Sequence, residues 1–152
     1  MISPDTDALT FGGWNKEGLG ALDDWIHVGW LTRNHTRCIS RTVEYAQNDF
    51  SLYQVAKRTN RMTDAQKYLT RAKQWENLWK VSNLTVGNFN GFFTPSNADG
   101  TWNLAGISGT KSFDVTDCSE REWNAYTYEA TAWEYSMNVP VSIYLISHLF
   151  IA

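Results

Sequence analysis

Cysteine, proline and long apolar runs are all scarce in this chain of 152 residues. The two cysteines, Cys38 and Cys118, lie far apart and match no metal-ligand or redox spacing, so the sequence offers neither a zinc site nor a dithiol centre and leaves their pairing open. No basic run is present and the net charge is −3, which removes the electrostatic footprint a nucleic-acid partner would need. The N-terminus has neither a charged n-region nor an apolar run, so we expect no signal peptide in this chain. The apolar stretch from Val139 to Ala152 contains Ser142, Ser147 and His148 and falls short of the ~20 residues that cross a bilayer, so no membrane partner is expected. The length fits a single domain.

Aromatic residues are abundant by contrast: eight Trp, seven Tyr and seven Phe. Some must pack a core. So many indoles in a small domain also favour a surface that handles flat or ring-shaped ligands, of which carbohydrate fits best. The sequons at Asn34 and Asn83 permit a secretory history.

Residues 1 to 35 read as irregular structure with one short helix around Leu19 to Val28, because Gly12, Gly13, Gly18 and Gly20 interrupt any longer periodicity. Trp14, Trp25 and Trp30 either plug the end of the domain or line a cleft. A long helix is predicted from Cys38 to Arg58, where Ile39, Val43, Ala46, Phe50 and Tyr53 repeat at alternating steps of four and three. Asn60 suits the position just past its end. A second helix is predicted from Thr63, in a capping box with Gln66, to about Lys80, burying Ala65, Tyr68, Leu69, Ala72, Trp75 and Trp79. The short connection makes the two an antiparallel αα-hairpin.

From Val81 to Asp117 the composition turns to Gly, Asn, Ser and Pro, and the stretch from Gly91 to Trp102 predicts a β-hairpin turning at Asp99 and Gly100. Such an excursion is either a binding loop on a helical scaffold or a surface loop without a role. Helix returns near the end, with Ala130, Trp133 and Met137 on one face, a break at Pro140, and Val141, Tyr144, Leu145, His148 and Leu149 on a second face. His148 reads as a structural histidine. The pattern stops within an apolar helical face, so we expect a truncated chain.

The stretch from Tyr126 to Ser142 sets Glu129 and Glu134 among Tyr126, Tyr128, Trp133 and Tyr135. Aromatic walls can hold a carboxyl protonated near neutral pH, and rings stack on the apolar faces of a sugar. An amphipathic helix with both glutamates facing solvent would give the same composition.

Four segments then resemble, in order, those of glycoside hydrolase family 92, the calcium-dependent exo-acting α-mannosidases. Ile39 to Phe50 resembles a Ser-Arg-Thr-Leu/Val-Glu-Tyr-Ala-x-Asx-Asp-Phe/Trp segment, and Ala65 to Trp79 its next helix. Phe92 to Trp102 resembles a Phe-x-x-Pro-Arg-Asn-x-Asp-Gly hairpin, and Tyr128 to Tyr135 a Tyr-x-Glu-Gly/Ala-x-x-Trp-Gln/Glu-Tyr segment. The likeness runs from about Gly18 to the C-terminus and is closest to the fungal branch.

The resemblance implies a mainly α fold: part of an (α/α)6 toroid, two to three helical hairpins with a small β-hairpin excursion, residues 1–152 forming a fragment of a larger catalytic domain. It implies that Glu129 is the general acid, with Trp133 and Tyr128 as substrate-binding aromatics, Trp133 serving the cleft or the packing. Glu44 and Asp49 are expected to act as structural hydrogen-bonding residues. Mannose-containing glycans become the expected partner, and calcium the cofactor of the full-length family, with none expected on this chain and no metal ligand assigned. The parent enzyme would belong to the secretory pathway.

Departures limit the expectation. Val141 and Ser142 stand where the family continues into His-Asp, and the downstream Gly-Asn-Asp-Asp segment carrying the catalytic base is not found. We therefore expect the chain to be inactive by itself. A non-catalytic carbohydrate-binding or partner-binding remnant is the alternative, and a self-associating helical module the third reading.

Overall fold

The computed structural model of the chain describes residues 21–86, 89–102, 113–116 and 126–138. Trp14, Cys118, Pro140 and the helix expected after it lie outside them. The described part is mainly helical, as expected, with one two-stranded antiparallel sheet. Helix α1 spans Leu22–His27, α2 Cys38–Arg58 and α3 Met62–Ala72. Strands β1 (Trp79–Val86) and β2 (Phe89–Phe93) follow, and α4 spans Ala132–Met137.

Helix α2 is the axis of the molecule, and its bounds match the predicted ones. Ile39, Val43 and Ala46 are buried, while Phe50 and Tyr53 are half-buried and pack their rings on each other at 5.8 Å. The N-terminal half is enclosed on more sides than an apolar stripe suggests, because its polar residues have fixed partners. The Thr42 hydroxyl accepts from the Leu31 amide at 3.0 Å, and the Asp49 carboxylate accepts from the Trp25 indole N–H at 2.9 Å. Asp49 thus bridges α1 to α2 in the interior, the structural role expected of it; a buried carboxylate requires such a donor.

Asn60, in the left-handed region at φ 60°, ends α2. Its amide donates to Lys57 and the Arg61 amide to Ala56, the paired bonds of a Schellman turn that satisfy the last carbonyls. The chain reverses into α3, and α2 and α3 pack along each other as the predicted hairpin.

The start and end of the second helix differ from expectation. The N-cap is Arg61 rather than Thr63, and no side chain caps the helix, so the Thr63–Gln66 box does not form. Arg61 instead pairs with Asp64 one turn on. At the other end α3 stops at Ala72 rather than near Lys80, and a 3-10 turn over Gln74–Leu78 leads directly into β1. The turn still delivers Trp75 and Leu78 to the core. Trp79 therefore begins a strand, half-buried, and not the last turn of a helix.

The hairpin is also re-partnered. Residues of β2 pair with β1, in the register Trp79 with Phe93, Lys80 with Phe92 and Val81 with Gly91, and a bulge precedes Val86 with Phe89. The Asp99–Gly100 turn is present, with Gly100 at φ 79°, and among the described residues it closes the single bridge Ser96–Trp102. Phe92 and Phe93 are fully buried, each worth about 1.5–3 kcal/mol of apolar burial. Phe93 meets Trp75 and Trp79 edge-on, and Phe92 stacks on Trp133 at 5.7 Å.

Helix α4 buries Ala132 and Ser136, not the expected Ala130, Trp133 and Met137 face; Met137 is exposed. The reason is a hydrogen bond. The Ser136 hydroxyl accepts from the buried Phe93 amide at 2.9 Å and donates to the Ala132 carbonyl at 2.6 Å, turning that face of α4 onto β2.

Candidate active site

The segment 126–131 crosses the N-terminus of α2, and both sides of the crossing are fixed. The Tyr126 carbonyl accepts from the Ile39 amide at 3.0 Å, so the crossing chain satisfies one of the free amides at the start of α2. The Tyr126 ring is buried edge-on to Phe113, and its hydroxyl accepts from Arg33 at 3.3 Å. Two residues on, the half-buried Tyr128 has the Arg37 guanidinium 4.0 Å above its ring centroid. Its carbonyl accepts from the Tyr135 hydroxyl of α4 at 2.6 Å.

Glu129 follows, exposed to solvent, with its backbone in the left-handed region at φ 67°. Arg37 occupies the same unusual region at φ 57°. Side chains crowd the backbone there, and a non-glycine residue held so is typical of a place where the surroundings over-determine the conformation. Arg37 stacks on Tyr128, the residue immediately before Glu129.

The two glutamates of this stretch have different surroundings. Glu134 closes a capping box with Thr131: its carboxylate accepts from the Thr131 amide at 2.7 Å and hydroxyl at 2.9 Å, and the Thr131 oxygen accepts from the Glu134 amide at 3.1 Å. Hydrogen bonds from Thr131 hold Glu134 below the usual carboxylate range. It serves as the cap of α4. The Thr-x-x-Glu spacing would have shown this in the sequence.

A carboxylate with no catalytic role assigned to it from sequence enters here instead. Glu44 stands on the same face of α2 as Arg37 and Arg41, at helical steps of three and four. Part of its surface is open to water, yet its proton affinity is raised, first by partial burial of the carboxyl and then by the charge of Glu129; Arg41 and Arg37 oppose the shift. Glu44 is thus a neighbour of the Glu129 carboxylate rather than a member of the interior hydrogen-bond network. Trp133 is half-buried, stacked on Phe92, and its amide donates to the Val115 carbonyl at 2.9 Å, so much of its ring is engaged in packing.

Glu129, Tyr128, Glu44, Arg37 and Arg41 therefore form one cluster at the head of α2, with Trp133 on the adjoining helix. An exposed carboxyl with a second carboxyl and two guanidiniums nearby can exchange a proton with a bound molecule. Among the described residues no group of three or more His, Cys, Asp or Glu could hold a metal ion. No helix among them is long and apolar enough to cross a membrane.

Residues 3–150 match the family model described as the glycosyl hydrolase family 92 catalytic domain. The chain is similar, at 33% identity over 144 residues, to an uncharacterized secreted glycosidase of Arthroderma benhamiae, the likeness covering 84% of this chain and 18% of that protein. Among solved structures it resembles an inverting mannosidase of family GH92 from Bacteroides thetaiotaomicron, an (α/α)6-type fold, with a TM-score of 0.56 and 21% identity over 75% of this chain and 13% of that one. The chain thus spans under a fifth of the length of either relative.

Proposed function

Since the chain belongs to glycosyl hydrolase family 92, we propose that it carries the acid-bearing part of an inverting α-mannosidase, with Glu129 as general acid. The observation that supports the role is the placement of Glu129, an exposed carboxyl on a turn pinned to two helices. In an inverting hydrolysis one carboxylic acid protonates the departing glycosidic oxygen while a second carboxylate activates water on the opposite face of the sugar, with room for that water between them. Glu129 would supply the first proton. Tyr128 and Trp133 would border the sugar, Tyr128 with the ring face that Arg37 leaves uncovered.

The substrate class is terminal α-linked mannose on N-glycans or mannoproteins, and the setting is the secretory pathway or the exterior. The relative from Arthroderma is called secreted, which supports that setting. Calcium dependence belongs to the larger family enzyme, and no step here passes through the ion. By itself the chain would turn over little, because inverting hydrolysis needs both carboxylates positioned at once.

Two measurements test this. In a complete catalytic domain carrying this segment, Glu129→Gln should cut hydrolysis of α-1,2-mannobiose by about 10²–10⁴-fold. It should cut hydrolysis of an aryl mannoside with an acidic leaving group far less, since such a group departs without a proton. Equal losses on both substrates would remove Glu129 from the acid role. For the isolated chain, incubation with α-1,2-mannobiose should release no mannose; release that Glu129→Gln abolishes would show that the chain is competent alone. The half-buried Trp30, Trp79 and Trp133 at the margin of the core favour a second reading, carbohydrate binding without turnover. Saturable quenching of Trp fluorescence by mannose oligosaccharides would support it.

A further inference from the structure

Arg37 immediately precedes α2, and its side chain makes no capping hydrogen bond to the helix. Arg37 is held left-handed at φ 57°, and its carbonyl accepts from the Arg41 amide at 3.0 Å and the Ser40 hydroxyl at 3.2 Å, so its backbone is locked into the first turn. Its guanidinium lies over the Tyr128 ring, 4.0 Å from the centroid. On the far side Tyr135 takes the Tyr128 carbonyl at 2.6 Å. Tyr128 is thus gripped by its ring from α2 and by its backbone from α4, and the next residue is Glu129 at φ 67°.

We propose that Arg37 is a positioning residue for Glu129: its guanidinium, stacked on Tyr128, holds the left-handed turn against α2 and supplies the positive charge that lets Glu129 and Glu44 occupy one face together. The stack fixes geometry, since a cation over an aromatic ring is attracted to its face. The charge offsets the repulsion of two carboxylates that would otherwise push the exposed turn outward. The groups facing Glu44 are Glu129 from the crossing segment and Arg41 and Arg37 from its own helix, and Arg37 opposes the effect of Glu129 there. The catalytic meaning rests on Glu129 being the acid; the positioning itself does not.

The test is therefore made on the 152-residue chain without substrate. Isotope-labelled protein is compared as wild type, Arg37→Asn, Arg37→Lys, Tyr128→Leu and Glu129→Gln. Asparagine tolerates the left-handed backbone, so it removes the guanidinium without straining residue 37. The first readout is the strong intraresidue amide-to-Hα Overhauser contact that a positive φ gives Glu129; the second is the titration midpoint of the Glu44 side-chain carbon.

Wild type should show the strong contact. Arg37→Asn should lose it and raise the Glu44 midpoint, whereas Arg37→Lys should keep the midpoint near wild type. Tyr128→Leu should lose the contact without raising the midpoint, separating ring from charge. Glu129→Gln should lower the midpoint. The proposal is overturned if Arg37→Asn leaves both readouts unchanged, if lysine moves the midpoint as far as asparagine, or if Glu129→Gln leaves Glu44 unmoved. Mannose release tests the acid assignment separately, so either idea can fail without the other.

Discussion

At the scale of single residues, the backbone angle of Glu129 has a measurable consequence. At φ 67° a Cβ costs roughly 1–2 kcal/mol that glycine avoids, and a β-branched side chain fits worst. Because Glu129 is exposed, little packing is lost on its removal. Glu129→Gly should therefore retain or gain up to about 1 kcal/mol of stability, after the greater entropy of glycine in the unfolded chain is allowed for, while Glu129→Val loses stability. Urea unfolding of the two variants checks this, and equal destabilisation by both would mean the turn is not left-handed in solution. The sequence pointed to Glu129 only through composition and family likeness. It could not show the angle, since that is imposed by Tyr126, Tyr128 and Tyr135 bonding to two helices.

At the scale of elements, the β1–β2 hairpin is set by a close approach between backbone and indole. A Cβ added at Gly91 would meet the Trp79 ring at 2.8 Å, its partner region across the ladder. The indole cannot retreat freely, being edge-on to the buried Phe93 at 5.6 Å. Gly91→Ala should cost about 1–3 kcal/mol by overpacking. In a Trp79→Phe background the same change should cost less, a coupling that a double-mutant cycle of thermal or urea unfolding measures. The sequence concealed this strand because Trp75 and Trp79, four apart, fit a helical face. Pairing with β2 and the contact between Phe93 and Trp79 outweigh that local pattern, and a partner across a ladder leaves no trace in helical periodicity.

At the scale of the whole molecule, Cys38 reports on global opening. It is fully buried at the start of α2, and burial pushes its thiol from an ordinary 9.0 up to about 12. The native chain at pH 8 should leave Cys38 unmodified by iodoacetamide, with labelling, located by mass spectrometry, appearing only as the chain unfolds. The linkage has a definite sign. A group whose folded value is raised contributes stability in full below pH 9 and loses it as pH rises toward 12, because the unfolded thiol ionises first. The midpoint of thermal unfolding should therefore fall across that window, and Cys38→Ser should flatten this part of the alkaline loss. Rapid labelling under native conditions would contradict the packed core around α2.

Family, mainly helical class and the α2–α3 hairpin were all legible in the order of residues along the chain. Those rest on periodicity, on Asn60 at a left-handed turn, and on motifs that are contiguous along the chain. Folding in three dimensions set where the second helix gives way to a strand, which face of α4 is buried, and that Glu44 and Arg37 stand near the Tyr128–Glu129 turn. Each of these depends on groups distant in sequence: an amide on β2 seeking the Ser136 hydroxyl, an indole seeking Phe93, a guanidinium reaching Tyr128. Local preference amounts to a few tenths of a kcal/mol per residue, whereas an unmet buried amide costs about 1–3 kcal/mol, so the long-range partners prevail.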